Sequence, residues 1–120
     1  MMRFTESHEW IKLDGKVGTV GISSYAQNEL GEIVSIELPK VGQQCKAKEE
    51  ICVLESTKAA ADVYAPVSGK IVAVNDALKG DPSLINEQTE STGWLFQIEL
   101  AHLEELESLM GEKEYRSNLQ

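Results

Sequence analysis

Two cysteines are all this chain contains, Cys45 and Cys52, and they do not form a CxxC pair. With so few companions they cannot build a zinc or iron-sulfur site, so no metal is expected. If residues 47–50 formed a four-residue hairpin loop, the two thiols would face each other across it, and register alone permits a disulfide. A reducing compartment and strand-like apolar surroundings favour free thiols that pack as small hydrophobes. Basic residues are also in short supply: 11 Lys and Arg against 20 Asp and Glu leave a net charge of -9 and a sequence pI near 4.6. Nucleic acid and anionic membranes would repel such a surface, whereas a soluble protein partner would not. No apolar run approaches the roughly 20 residues that span a bilayer. The start Met1-Met2-Arg3-Phe4-Thr5-Glu6 has neither a signal-peptide apolar stretch nor the Arg/Ser-rich amphipathic character of a transit peptide, so the expected localisation is cytoplasmic. Nor do a nucleophile, a base and an orienting group occur together at a recognisable spacing. No catalytic residue is expected, and the chain reads as a non-enzyme.

What is present is mostly strand. At 120 residues the chain fits one domain, 1–120, long enough for a core but short for an enzyme with its own substrate cleft. Strands are expected at Val17–Ile22, at Glu32–Leu38 up to Pro39, at Gly69–Val74 after the turn Pro66-Val67-Ser68-Gly69, and at Trp94–Leu100. A short helix is expected over Ser24–Gly31, with a Ser24/Gln27 capping box and Gly31 as its stop. Asp81-Pro82-Ser83 opens one helical turn, and Leu103, Leu106, Leu109 and Met110 predict a C-terminal helix with one apolar face.

The segment Glu55-Ser56-Thr57-Lys58-Ala59-Ala60 carries the functional signal. Ile51–Glu55 before it and Ala60–Pro66 after it both read as extended, so the segment predicts a β-hairpin with Lys58 at its tip. There the amine stays hydrated and mobile over a fixed backbone, the small residues Ala59 to Ala61 leave room for an approaching enzyme, and Glu55 and Asp62 add negative charge nearby. The residues alone leave two readings open, an attachment point and an ordinary solvated lysine. A short repeat flanks the hairpin: Gly31-Glu32-Ile33-Val34-Ser35-Ile36 followed by Gly42 matches Gly69-Lys70-Ile71-Val72-Ala73-Val74 followed by Gly80 at a constant offset. This predicts a pair of related sheets, a flattened barrel of quasi-twofold symmetry with Lys58 at one end.

Several blocks together resemble the glycine cleavage system H proteins, a family of lipoyl carriers. They are Ser7-His8-Glu9-Trp10-Ile11, Val20-Gly21-Ile22-Ser23 with Tyr25-Ala26-Gln27 and Leu30-Gly31, Ile36-Glu37-Leu38-Pro39 with Val41-Gly42, Glu55 to Ala60, Tyr64-Ala65-Pro66-Val67-Ser68-Gly69, and Gly93-Trp94-Leu95. The resemblance implies an all-β barrel-sandwich hybrid fold of the lipoyl/biotinyl type, with short peripheral helices and a C-terminal helix. It implies lipoate as the cofactor, joined by an amide bond to Lys58; biotin carriers typically place methionines beside the lysine, where Thr57 and Ala59 stand here. The implied function is to shuttle the aminomethyl group of glycine between glycine decarboxylase, a folate-dependent aminomethyltransferase and dihydrolipoyl dehydrogenase. A lipoate ligase or lipoyl transferase would load the arm. The alternative within the resemblance is a relay protein that donates or displays lipoate for other acceptors or for redox signalling. Five positions depart from the family pattern: Thr57 for valine, Ala61 for serine, Lys48 for glycine, and Thr89-Glu90 for a Pro-Tyr pair in a loop implied to border the surface where a loaded arm rests. His8 and Trp10 match the pattern but are expected to pack or make surface contacts, without chemistry.

Overall fold

The computed structural model describes residues 2–119. Three strands come first, β1 (Met2–Phe4), β2 (Glu9–Asp14) and β3 (Val17–Ile22), then helix α1 (Ser24–Leu30). β4 (Ile33–Glu37), β5 (Gln44–Cys45), β6 (Glu50–Ser56), β7 (Ala60–Tyr64) and β8 (Gly69–Val74) follow. Two short helices, α2 (Ala77–Gly80) and α3 (Ser83–Glu87), lead to β9 (Phe96–Leu100), a 3₁₀ helix (Leu103–Ser108), β10 (Met110–Gly111) and α4 (Glu112–Asn118).

The strands form two sheets, one of seven in the order β10-β1-β2-β3-β9-β8-β5 and one of three in the order β4-β6-β7, with antiparallel pairing throughout. Side chains alternate across a strand, so each sheet turns one apolar face inward. Val20, Ile71, Phe96 and Ile98 of the larger sheet join Ile33, Leu54 and Val63 of the smaller in one buried cluster, to which Leu78 of α2 and Ile85 of α3 add. A second cluster of Phe4, Trp10 and Tyr115 ties the N-terminal strands to α4. Gly21 stands opposite Trp10 in the β2–β3 register because the indole fills the space a side chain would need: a Cβ there would lie 2.7 Å from the ring.

The strands expected from alternation are present, β8 with the same bounds, and the two halves of the repeat fall into different sheets, β4 into the smaller and β8 into the larger. The likeness ends with the strands. Gly42 sits at φ 94° and donates its N–H to Ile71, whereas Gly80 closes α2. The sheets remain open, a sandwich and not a closed barrel.

Two expectations about helices need correction. The N-cap of α1 is Ser23, not Ser24: its hydroxyl accepts the Ala26 N–H at 3.1 Å, and Gln27 sends its side chain to the other end of the helix. Gly31 does end α1, at φ 87°. The residues expected to form a C-terminal amphipathic helix do not form one. Leu103–Ser108 is 3₁₀, Leu103 is exposed, and Met110 enters β10. Glu105 holds this segment against the β7–β8 turn, its carboxylate accepting from the N–H and the hydroxyl of Ser68 at 2.7 and 2.9 Å. The C-terminal helix is α4, which begins after those leucines and buries only Tyr115.

Candidate functional site: the Lys58 hairpin

From Cys52↔Val63, β6 and β7 stay in register to the pair Glu55↔Ala60, beyond which Thr57, Lys58 and Ala59 form the tip. Ser56 closes the turn. Its Oγ accepts the N–H groups of Lys58 and Ala59 at 3.1 Å each, its hydroxyl donates to the Ala59 carbonyl at 3.1 Å, and its own N–H donates to that carbonyl at 2.8 Å. A serine that satisfies the backbone ahead of it stabilises a turn without any tertiary partner.

Among the described residues one hydrogen bond anchors the tip from outside: the Thr57 N–H donates to the Glu32 carbonyl at 3.1 Å. The lysine stem lies over Gly31, where an added Cβ would come 3.2 Å from Lys58 Cε. Glycine at this position thus meets two demands, a positive φ and the passage of the stem. Lys58 is exposed and, among the described residues, makes no ion pair, although exposed Glu55 and Asp62 lie on the same hairpin. A long, exposed and unpaired amine on a closed turn is chemically available for acylation. Small neighbours at 57 and 59 to 61 leave its approach free of bulky side chains.

The other residues singled out from sequence lie elsewhere. His8 adopts φ 75°; its Nδ1 is 2.7 Å from the Tyr115 hydroxyl and its ring lies 4.8 Å from that of Tyr25. Trp10 is buried and donates from Nε1 to the Thr89 carbonyl at 2.8 Å. Both therefore pack, as expected. Cys45 and Cys52 are free and buried. β5 and β6 belong to different sheets, so the thiols do not face each other across a hairpin. Burial pushes both thiols up, Cys52 to about 12 with a further contribution from the Glu37 charge, and neither is primed for thiolate chemistry. Among the described residues, no group of three or more His, Cys, Asp or Glu could hold a metal ion.

Thr89 and Glu90 have structural work that sequence reasoning did not find. Glu90 accepts the Ser24 N–H at 2.8 Å, at the start of α1, and the Arg116 guanidinium at 2.7 Å. Burial opposes the Glu90 charge, but the hydrogen bonds from Arg116 and Ser24 and the Arg116 charge outweigh it and hold the carboxyl below its ordinary value. The loop sits at the N-terminal end of α1 and Lys58 over its C-terminal end, about 10 Å apart at 1.5 Å per residue. Also unforeseen is Glu9, a buried carboxylate. It accepts from the hydroxyls of Thr5 and Ser7 and from the Tyr64 N–H at 3.1 Å, and so ties β2 to the end of β7.

Residues 2–120 match the family model described as glycine cleavage H-protein. The chain belongs to the glycine cleavage H-protein family. A glycine cleavage system H protein of Thermotoga maritima is 49% identical over 116 residues, which cover 97% of this chain and 94% of that one. Another, from Phenylobacterium zucineum, is 47% identical over 95% of this chain and 94% of its own length. The crystal structure of a glycine cleavage system H protein from Mycobacterium marinum superposes with a TM-score of 0.90 at 35% identity, covering 98% of this chain and 95% of that one. The two open sheets are accordingly the barrel-sandwich hybrid of the H-protein family. Lys48, one of the positions where the resemblance implied glycine, occupies a left-handed conformation, φ 73°, which glycine adopts at no steric cost.

Proposed function

We propose that this chain, as one carrier domain over 1–120, is the lipoyl carrier of a glycine cleavage system and that Lys58 is its attachment site. The observation that carries the proposal is the exposed, unpaired Lys58 on a tip closed by Ser56. Membership of the H-protein family supports it. The attachment is an amide: Lys58 Nζ bonds to the lipoyl carboxyl as the activating group brought by the ligase or transferase leaves. Lipoate held on Lys58 would supply a redox-active disulfide able to carry the aminomethyl group of glycine between partner enzymes.

The chain itself contributes geometry. The β6–β7 hairpin carries the tether, Gly31 leaves the stem unobstructed, and Ser56 keeps the tip from opening. A tethered arm meets successive active sites at high effective concentration, set by its reach from a fixed base. No catalytic group is required of the carrier, and glycine decarboxylase, aminomethyltransferase and dihydrolipoyl dehydrogenase supply the chemistry. A cytoplasmic setting suits these partners, and no helix among the described residues is long and apolar enough to cross a membrane.

Intact mass after expression with lipoate is the test. The wild-type chain should gain one lipoyl group, mapped to the peptide holding Lys58, while Lys58→Arg keeps the charge and gains none. Lipoyl mass on Lys58→Arg would overturn the assignment. Carrier function is then read by exchange of labelled bicarbonate into the carboxyl of glycine with the decarboxylase of the same organism: the lipoylated form should support it and the unlipoylated form should not.

A further inference from the structure

Two carboxamides that the carrier reading does not use converge beneath the hairpin tip. Asn86, in α3, engages both backbone groups of Ile33 at the start of β4: its Oδ1 accepts the Ile33 N–H at 2.8 Å, and its Nδ2 donates to the Ile33 carbonyl at 3.1 Å. Gln27, in α1, donates from Nε2 to the same Asn86 Oδ1 at 3.2 Å and to the Gly31 carbonyl at 3.1 Å. The orientation of both amides follows from their partners, since a backbone N–H only donates and a carbonyl only accepts. The pair therefore clamps residues 31 and 33, on either side of Glu32.

Those three residues are what the tip touches. The Glu32 carbonyl receives the Thr57 N–H, which is the one hydrogen bond from Thr57, Lys58 or Ala59 to a residue outside the hairpin among the described residues. Gly31 lies under the Lys58 stem. Ile33 pairs with Ser56, the turn-closing residue, and the ladder slips just beyond it, between Ile33 and Ser35. At that irregularity sheet pairing alone would hold the strand loosely. Side-chain bonds from two helices take over there, Asn86 reaching across from 53 positions away and Gln27 from the helix just before the strand.

We propose that Gln27 and Asn86 are positioning residues for the carrier lysine: by fixing Gly31-Glu32-Ile33 they set the height of the tip and the direction in which Lys58 leaves it. The inference rests on Lys58 as the lipoyl acceptor. An attaching enzyme must bring one amine to one activated carboxyl, and a tip that rocks on a loose base offers that amine in the reactive orientation for less of the time.

The test compares Asn86→Ala and Gln27→Met, the latter of similar length and without a donor, with Ile98→Val, a core substitution on β9 that lowers overall stability without touching the clamp. Loading is followed by intact mass with a lipoate ligase, lipoate and ATP, and the Thr57 amide by hydrogen exchange. Exchange at Thr57 should quicken about tenfold in each clamp variant, the fold-change of roughly one net hydrogen bond. The kcat/KM of loading should fall at least about threefold, while Ile98→Val changes neither beyond its global effect. If Asn86→Ala does not fold, Gln27→Met decides alone. Clamp variants that load at the wild-type rate with Thr57 exchange unchanged, or that slow only as Ile98→Val does, overturn the inference and leave the carrier reading standing. A wild-type chain that takes no lipoyl group on Lys58 overturns both.

Discussion

The Lys58 tip and the aromatic clamp around Tyr115 are held by opposite means. At the tip, three exposed residues are secured by a serine one position before them and by one long-range bond to Glu32. At the clamp, Tyr115 is 1% exposed and stacks on Phe4 with ring centroids 4.2 Å apart. Its hydroxyl meets Ser23 Oγ at 2.6 Å and His8 Nδ1 at 2.7 Å. Arg116 lies over the Phe4 ring, 5.1 Å from its centroid, and grips Glu90. Opening the tip exposes almost no apolar surface, so the tip depends on hydrogen bonds that are individually worth little. Opening the clamp exposes large aromatic faces and unpairs buried hydroxyls together, which makes it the costlier region to disturb. The two are nevertheless joined through α1, whose N-cap Ser23 contacts Tyr115 and whose terminal Gly31 supports Lys58. An amine that must stay exposed thus rests against the end of a helix whose other end is locked.

The largest effect should come from Tyr115→Ala, which removes the stack and both hydroxyl contacts at a cost of about 3–5 kcal/mol by the precedent of large aromatic truncations. Thermal unfolding checks it. At temperatures where the variant is still folded, lipoyl loading should stay close to wild type; a greater loss of loading than of stability would show that the clamp reaches the tip more strongly than a cap contact does.

Smaller and pH-dependent is the bridge from Glu90 to Ser24 and Arg116. The folded Glu90 carboxyl titrates below its ordinary value of 4.5, so its contribution is complete above that value and is lost as pH falls through the lower folded one. Wild type should therefore exceed Glu90→Gln in stability at neutral pH, and the gap should close in acid. A gap that stays constant down to pH 3 would mean that the bridge's charge contributes nothing.

Ser56→Ala is expected to cost about 1 kcal/mol, the net worth of a local side-chain-to-backbone bond. Its signature is local: the Lys58 and Ala59 amides should exchange faster while core amides of β3 and β9 do not change. Smallest, and opposite in sign, is Lys48→Gly, which relieves a left-handed φ of 73° but gives the unfolded chain more freedom. A net gain of about 0.5 kcal/mol is expected by denaturant titration.

The hairpin, the strands Val17–Ile22 and Gly69–Val74, and the stop at Gly31 were legible because each rests on short-range physics: alternation, turn chemistry and a residue that tolerates positive φ. The N-cap was misread by one position because adjacent serines offer the same hydroxyl, and only the Tyr115 contact and the Ala26 N–H single out Ser23. The leucines at 103, 106 and 109 carry a helical period. The segment is nevertheless 3₁₀, and Ser68, far back in the chain, holds it through Glu105. α4 left no apolar stripe to read, since Tyr115 is its one buried residue.

Local chemistry in the chain was enough to display an amine at Lys58, because the two strands and the serine turn act within a few residues of one another. The direction of that amine and the rigidity beneath it belong to contacts that no local pattern encodes. Asn86 meets Ile33 across 53 positions, and His8 meets Tyr115 across 107. Carboxamides and hydroxyls look alike in a sequence wherever they stand. Which backbone group each one satisfies is decided when the core brings the helices against the sheet edge and leaves those groups without water.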